Sequence, residues 1–455
     1  MTAGLGGAQS VLRGILGLSS GTIIARALAT VGQLVLAFWL SPAEFGYWAA
    51  ATSAISLLAG LANFGEVNAY LSGRGLTFRQ VRRSTRLINW ALVVAAAAVA
   101  SAYFFADRPE VGVLALIAAV TIPLAGSSDL MYATGVKVRA YRAVVVTQII
   151  AAVVKIVFGI AVAMTTGSAI AIAVSVLVFY MIMDFGLVRV VQRATVNEAD
   201  PGDRVGLGSR FKWAANSVAM SLPLQIGFLV AQFLASPELL GLYYIAFQVT
   251  LGITGLVSAP LSRVSLSTLG QLVGAERLRL GLSLSNLFGL GMLVVASLLA
   301  VSLPLAEVVV PVEWRPAVPA IILMVASMPM RMMGPVVDAY QQATNRWWQS
   351  TTFNIIDMVG TAGAALFALT GDILLLVLAA SLWKILLALG RMIFVFRAAG
   401  WAVLLRLLAP IALGSALICA IPFANEGAPV LAGAAAALAV SGIFISLSGH
   451  GKHRR

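Results

Sequence analysis

Histidine and cysteine are almost missing from this chain. The 455 residues include one cysteine, Cys419, inside an apolar stretch, and two histidines, His450 and His453, in the C-terminal tail. A single cysteine excludes a disulfide scaffold and a cysteine metal cluster. With so few ligands of the usual kind, no metal site is expected. Charge is scarce as well: Asp, Glu, Lys and Arg make up 10% of the chain, where soluble domains carry about 25%. No phosphate-loop pattern occurs, and the glycine cluster Gly4–Gly7 follows no strand, so neither ATP hydrolysis nor a nucleotide cofactor is expected. The N-terminus carries one arginine and a glycine-rich stretch before a full-length span, which is not the plan of a cleavable signal peptide.

What is present is hydrophobic. Sixty percent of residues are apolar and the mean hydropathy is +0.98, which leaves a polytopic membrane protein as the class that fits. A helix needs about 20 residues to cross the hydrocarbon layer, and the chain holds about fourteen such spans. They lie at roughly 17–40, 45–71, 87–106, 111–134, 143–164, 168–190, 211–234, 238–262, 280–304, 317–341, 349–369, 373–396, 402–422 and 427–448. The excess of base over acid, +13, suggests nucleic acid only in a soluble protein. Here the positive-inside rule accounts for it, and no nucleic-acid partner is expected.

Loops after even-numbered spans, the termini and the flanking span ends carry most of the basic residues. They include Arg74, Arg79, Arg82, Arg83 and Arg86, then Lys137, Arg139 and Arg142, and later Arg189, Arg193, Arg204, Arg210 and Lys212. Loops after odd-numbered spans carry Arg108 and Arg315. This alternation predicts an even number of spans with both termini in the cytoplasm.

Two repeats divide the chain. The turn Ser41-Pro42-Ala43-Glu44-Phe45-Gly46 joins the first two spans, and Ser236-Pro237-Glu238-Leu239-Leu240-Gly241 matches it, with Gly60 aligned to Gly255 at the same offset. Pro123 followed by Gln148-Ile149-Ile150 is matched at a second fixed offset by Pro329 followed by Asn354-Ile355-Ile356. A proline deep in a span frees a backbone carbonyl, which only protein or water can satisfy. Both kinks are therefore either packed or line a cavity. The expected fold is an all-α integral membrane protein. Two six-helix lobes, 1–195 and 210–397, are related by a pseudo-two-fold along the membrane normal. A cytoplasmic linker at 196–209 joins them, and two extra spans with a basic tail fill 398–455. Those extra spans are either peripheral or the wall of a lipid groove.

Charges inside spans are costly and usually face a bundle interior or a wet cavity. Four are basic: Arg26, Lys155, Arg331 and Lys384. Five are acidic: Glu66, Asp129, Asp184, Asp338 and Asp357. Glu66, Asp129, Asp184 and Asp338 lie near cytoplasmic ends, where pairing is the simpler reading. Glu66 is within about a turn of the depth of Arg26, so a bridge between them competes with a cavity role. Asp357 is level with Arg331 and Lys384 and has charge to neutralise one of them, hardly both. The four cations together suit an anionic headgroup such as a pyrophosphate, since Arg binds phosphate oxygens in pairs and Lys adds a point charge.

The run Leu40-Ser41-Pro42-Ala43-Glu44-Phe45-Gly46-Tyr47, with an arginine early in the first span and Asn63-Phe64-Gly65 near the end of the second, resembles the polysaccharide transporter family. That family includes O-antigen-unit flippases and exopolysaccharide exporters. It belongs to the multidrug/oligosaccharidyl-lipid/polysaccharide exporter superfamily, with the lipid II flippase and the multidrug-and-toxin antiporters. The resemblance implies alternating-access movement of a polyprenyl-pyrophosphate-linked oligosaccharide to the outer leaflet, for cell-surface polysaccharide synthesis. It also implies the cytoplasmic (inner) membrane as location, with polymerase and glycosyltransferases as partners. Arg26 matches by position the cavity arginine of the lipid II flippase. Lys155, Arg331 and Lys384 match no family motif and rest on depth alone. Asp129 and Asp184 are the N-lobe acids that a coupling role of the antiporter kind would use. An ion-coupled multidrug/cation antiporter is the alternative, and it favours an acidic, aromatic cavity. A polytopic glycosyltransferase or polymerase needs reactive groups on a substantial loop. The longest outward loop, about Leu305–Pro316, offers Glu307 and Glu313, and the inward loops hold no histidine, so an enzyme is not expected.

Overall fold

Ser41 and Pro42 open a helix, as the repeated turn requires. Ser41 is the extended N-cap residue of α2 (Pro42–Ala59), and its counterpart Ser236 caps α9 (Pro237–Gln271), its hydroxyl accepting from the Leu239 N–H at 3.2 Å. Proline at the first helical position loses nothing, because the N–H it lacks has no partner there. The computed structural model describes residues 21–62, 66–71, 77–195, 222–424 and 428–451. These residues form α-helices joined by short turns. Before α2 comes α1 (Gly21–Leu36); after it come α3 (Glu66–Leu71), α4 (Phe78–Phe105), α5 (Pro109–Lys137), α6 (Tyr141–Thr166), α7 (Ile170–Thr195) and α8 (Leu222–Ala231). Beyond α9 lie α10 (Gly274–Ala306), α11 (Ala317–Ala326), α12 (Met328–Ala343), α13 (Trp347–Ala365), α14 (Ile373–Phe396), α15 (Trp401–Ala420) and α16 (Ala428–Gly451). Among the described residues nine helices are long and apolar enough to cross a membrane, or ten if α11 and α12 are one bent span. The chain is an all-α, multi-pass membrane protein. Residues 196–209, expected to be the linker, and Asn63–Gly65 lie outside the described residues.

The repeated segments are not copies. The second expected span, 45–71, is two helices: α2 stops at Gly60, and α3 begins at Glu66. The aligned Gly255 lies inside the unbroken α9. The prolines differ in the reverse sense. Pro123 sits within the continuous α5, whereas Pro329 lies in the first turn of α12, after a 41° bend from α11 at Ser327. Pro329 has no N–H for the carbonyl four residues back, so the helix is interrupted there and restarts. Ser327 spans the gap: its hydroxyl donates to the Met324 carbonyl at 2.7 Å, and its carbonyl accepts from the Arg331 N–H at 3.0 Å.

The chain divides into two units, Met1–Leu229 and Val230–Arg455. In the first, α5 is the central helix, packed on α2, α4 and α7, with α6 on α7. In the second, α10 is central and lies against α11, α12, α15 and α16. The two C-terminal helices are therefore packed members of this unit. Small residues let them approach: a Cβ at Gly414 of α15 would meet Leu293 of α10 at 2.5 Å, and one at Gly442 of α16 would meet Leu290 at 2.8 Å. In lipid, where no hydrophobic drive joins helices, such close backbone approach supplies the packing energy. Gly414→Leu overfills the α10–α15 contact. It is expected to cost about 1–3 kcal/mol, read as earlier thermal unfolding of the detergent-solubilised protein, while the same change at Gly433, where nothing lies within 4 Å, is tolerated.

Candidate functional site

The bend at Ser327 sets the site, because it places Arg331 in the first turn of α12. The unpaired N–H groups there already carry positive partial charge, an unfavourable position for a cation. The Arg331 guanidinium lies 5.6 Å from the ring centre of Phe247 on α9, and its Nη1 is buried with no hydrogen-bond partner among the described residues. Asp357 on α13 acts on its charge through space but makes no ion pair with it.

Asp357 is committed elsewhere. Its Oδ1 accepts from Lys384 Nζ at 2.6 Å, from Trp383 Nε1 at 3.2 Å and from Thr361 Oγ1 at 3.2 Å. Lys384 also donates to Thr361 Oγ1 at 2.9 Å. Both side chains of this ion pair are mostly buried, Lys384 12% and Asp357 20% exposed. The sequence left open which cation Asp357 neutralises. The structure pairs it with Lys384, so the Arg331–Asp357–Lys384 group keeps one net positive charge. Gly360 makes this geometry available, because a Cβ there would run into the Trp383 indole. Gly360→Ala should push the indole off Asp357 and destabilise the protein more than Trp383→Phe, which loses only the 3.2 Å bond; thermal unfolding of the two variants compares them.

A second tier lies on the same helices. Arg391 is seven residues beyond Lys384 on α14, about 10 Å along the axis, and Asp338 is seven beyond Arg331 on α12. Arg391 and Asp338 form a short ion pair, with Gln341 Oε1 accepting from Arg391 at 2.6 Å and Ser350 Oγ donating to Asp338 at 2.6 Å. Phe353 lies 5.5 Å from the guanidinium. Depth predicted pairing for Asp338 but not its partner. The seven-residue spacing of Lys384 and Arg391 was the available signal for Arg391.

In the first unit, α1 lies against α6. Thr22 Oγ1 is 3.5 Å from Gln148 Oε1, and Gly21 and Gly32 face Val145 and Ile156. Arg26 is exposed on α1. Lys155 is half-buried on α6, with no ion pair or hydrogen bond to a described residue. Among the acids, Glu66 is buried and accepts from Ser84 Oγ at 2.7 Å, Asp184 accepts from Ser127 Oγ at 2.6 Å, and Asp129 is exposed. Glu44, in the repeated turn, accepts from the Ala169 N–H at 2.5 Å, just before α7. It thereby ties α2 to the start of α7.

A family model described as "polysaccharide biosynthesis protein" matches residues 35–319. No curated protein matches the chain in sequence. Among solved structures, the lipid II flippase MurJ in an inward closed conformation superposes with a TM-score of 0.68 at 15% identity, covering 94% of this chain and 98% of that one. A transporter of the MOP superfamily from Pyrococcus furiosus, titled for the reverse polarity of its binding pocket, gives 0.55 at 14% identity, covering 85% and 95%. A MATE protein in complex with MaD3S gives 0.53 at 15% identity over the same shares. At these identities the likeness is one of fold.

Proposed function

The chain belongs to the polysaccharide biosynthesis protein family, and on that premise we propose that it is a flippase for a polyprenyl-pyrophosphate-linked oligosaccharide. It would work by alternating access in the cytoplasmic membrane, with both termini in the cytoplasm, and supply lipid-linked units to polymerase and glycosyltransferases that build a surface polysaccharide. The match over residues 35–319 carries this reading, and the fold shared with a lipid II flippase supports it. Arg331 is the residue assigned to the pyrophosphate, because its guanidinium is charged, buried at Nη1 and unpaired among the described residues. A phosphate oxygen pair matches the guanidinium fork and offsets the cost of burying it. Lys384 contributes a second charge, held by Asp357 until an anion competes. In the first unit, Arg26 and Lys155 are assigned to substrate binding, and Glu66 and Asp129 to pairing or coupling.

A MATE-like drug/cation antiporter shares the fold. A cationic cargo requires an anionic or neutral aromatic site, and a guanidinium without a bonded carboxylate opposes one. The discriminating experiment is a leaflet-resolved assay in proteoliposomes with a fluorescent short polyprenyl-pyrophosphate sugar. Accelerated loss of the probe from one leaflet is expected. A rate equal to that of empty vesicles, with folded protein, counts against the flippase; export of organic cations by the same vesicles selects the antiporter.

A further inference from the structure

The first two and a half turns of α4 form a basic surface that the proposed transport does not use. Arg79, Arg82, Arg83 and Arg86 are exposed, and none has an ion pair or hydrogen bond to a described residue. Their spacing puts them within an arc of about 100° on one face. The face is rigid. Phe78 and Val81 are buried in a core with Tyr70, Leu130, Met131 and Leu187. Thr77 and Gln80 close a capping box, the Gln80 N–H donating to Thr77 Oγ1 at 3.3 Å and the Thr77 N–H to Gln80 Oε1 at 3.0 Å.

The apolar side chains next to the arginines identify the partner. The same face continues with Leu87, Trp90 and Val94, exposed by 68%, 59% and 70%. The order along the helix is cation, then aliphatic and indole, then aliphatic. That is the order of a membrane boundary, where indoles sit at headgroup level and alkyl groups lie inward. The 28 residues of α4 reach about 42 Å at 1.5 Å per residue, against a hydrocarbon thickness of about 30 Å. About two turns therefore extend beyond the hydrocarbon; at the N-terminal end they bear Arg79, Arg82 and Arg83, with Arg86 at the boundary. A soluble polyanion would engage the charges but leave the apolar continuation uncovered. A phospholipid lying along the face engages both.

We propose that this face of α4 is a docking site for anionic phospholipid, its phosphate on Arg79, Arg82, Arg83 and Arg86 and an acyl chain along Leu87, Trp90 and Val94. The site is independent of the transport reading and stands whether or not that reading holds. Clusters of four or more basic side chains next to a span bind anionic headgroups in this way.

The test uses the full chain in a neutral detergent and compares thermal stabilisation by added phosphatidylglycerol and by phosphatidylcholine. The wild type should be stabilised selectively by phosphatidylglycerol, and the effect should weaken as salt rises. R79Q/R82Q/R83Q/R86Q should need at least ~10-fold more phosphatidylglycerol for the same stabilisation, while the four corresponding lysine replacements keep most of it. A control that neutralises Arg139, Arg142, Arg189 and Arg193, also exposed, should behave as wild type. Equal loss in that control, no loss in the α4 variant, or equal stabilisation of the wild type by inorganic pyrophosphate would each overturn the proposal.

Discussion

Asp357→Ala should lower stability by roughly 3 kcal/mol, the low end for removing one partner of a buried ion pair. The carboxylate is the acceptor for Lys384, Trp383 and Thr361 together. Its loss leaves two cations, Lys384 and Arg331, among α12, α13 and α14 with no counter-charge. Truncating the lysine as well should recover most of the stability. Asp357→Ala/Lys384→Met is expected within about 1 kcal/mol of wild type, because a pair removed as a unit no longer strands a charge. Thermal unfolding of wild type, both single variants and the double variant gives the cycle. If the double variant is as unstable as Asp357→Ala, the Lys384–Asp357 bond is not what holds this region.

Arg331→Met should separate function from stability. The guanidinium has a buried Nη1 without a partner among the described residues and stands at a helix N-terminus whose dipole opposes it. Removing it costs the fold little, and the melting temperature should stay level or rise. Transport should fall at least ~100-fold, as the loss of a charge-assisted contact worth roughly 3 kcal/mol implies. The readout is the proteoliposome assay at matched protein density, with unfolding measured on the same preparation. A variant that transports at the wild-type rate removes Arg331 from the mechanism. A variant that loses both activity and stability makes the arginine structural.

These expectations show which parts of the molecule are written along the chain and which arise from its folding. Long continuous apolar runs point to membrane-spanning helices, since a helix of about 20 apolar residues satisfies every backbone group within one segment. The Ser41-Pro42 and Ser236-Pro237 turns mark helix starts because proline at the first position and serine before it act through local geometry. The candidate acids and bases were equally legible, because each stands out against an apolar run. Local signals misjudged continuity. Gly60 and Gly255 align, yet one ends a helix and the other lies within one; Pro123 and Pro329 align, yet one is carried through and the other stands in the first turn of a new helix. A glycine or proline permits a break, and the neighbours packed on it decide whether the break occurs.

By itself the sequence determined the class of the protein and marked Glu66, Arg331, Asp338, Asp357 and Lys384 as charges set in apolar runs, since each follows from the free energy of moving a side chain or a backbone group out of water. The tertiary structure alone decided the pairing. Asp357 goes to Lys384, Asp338 to Arg391, and Arg331 has no described partner. An ion pair depends on a few ångströms between helices, and that distance is set by small contacts such as Gly360 under Trp383, which no single helix contains.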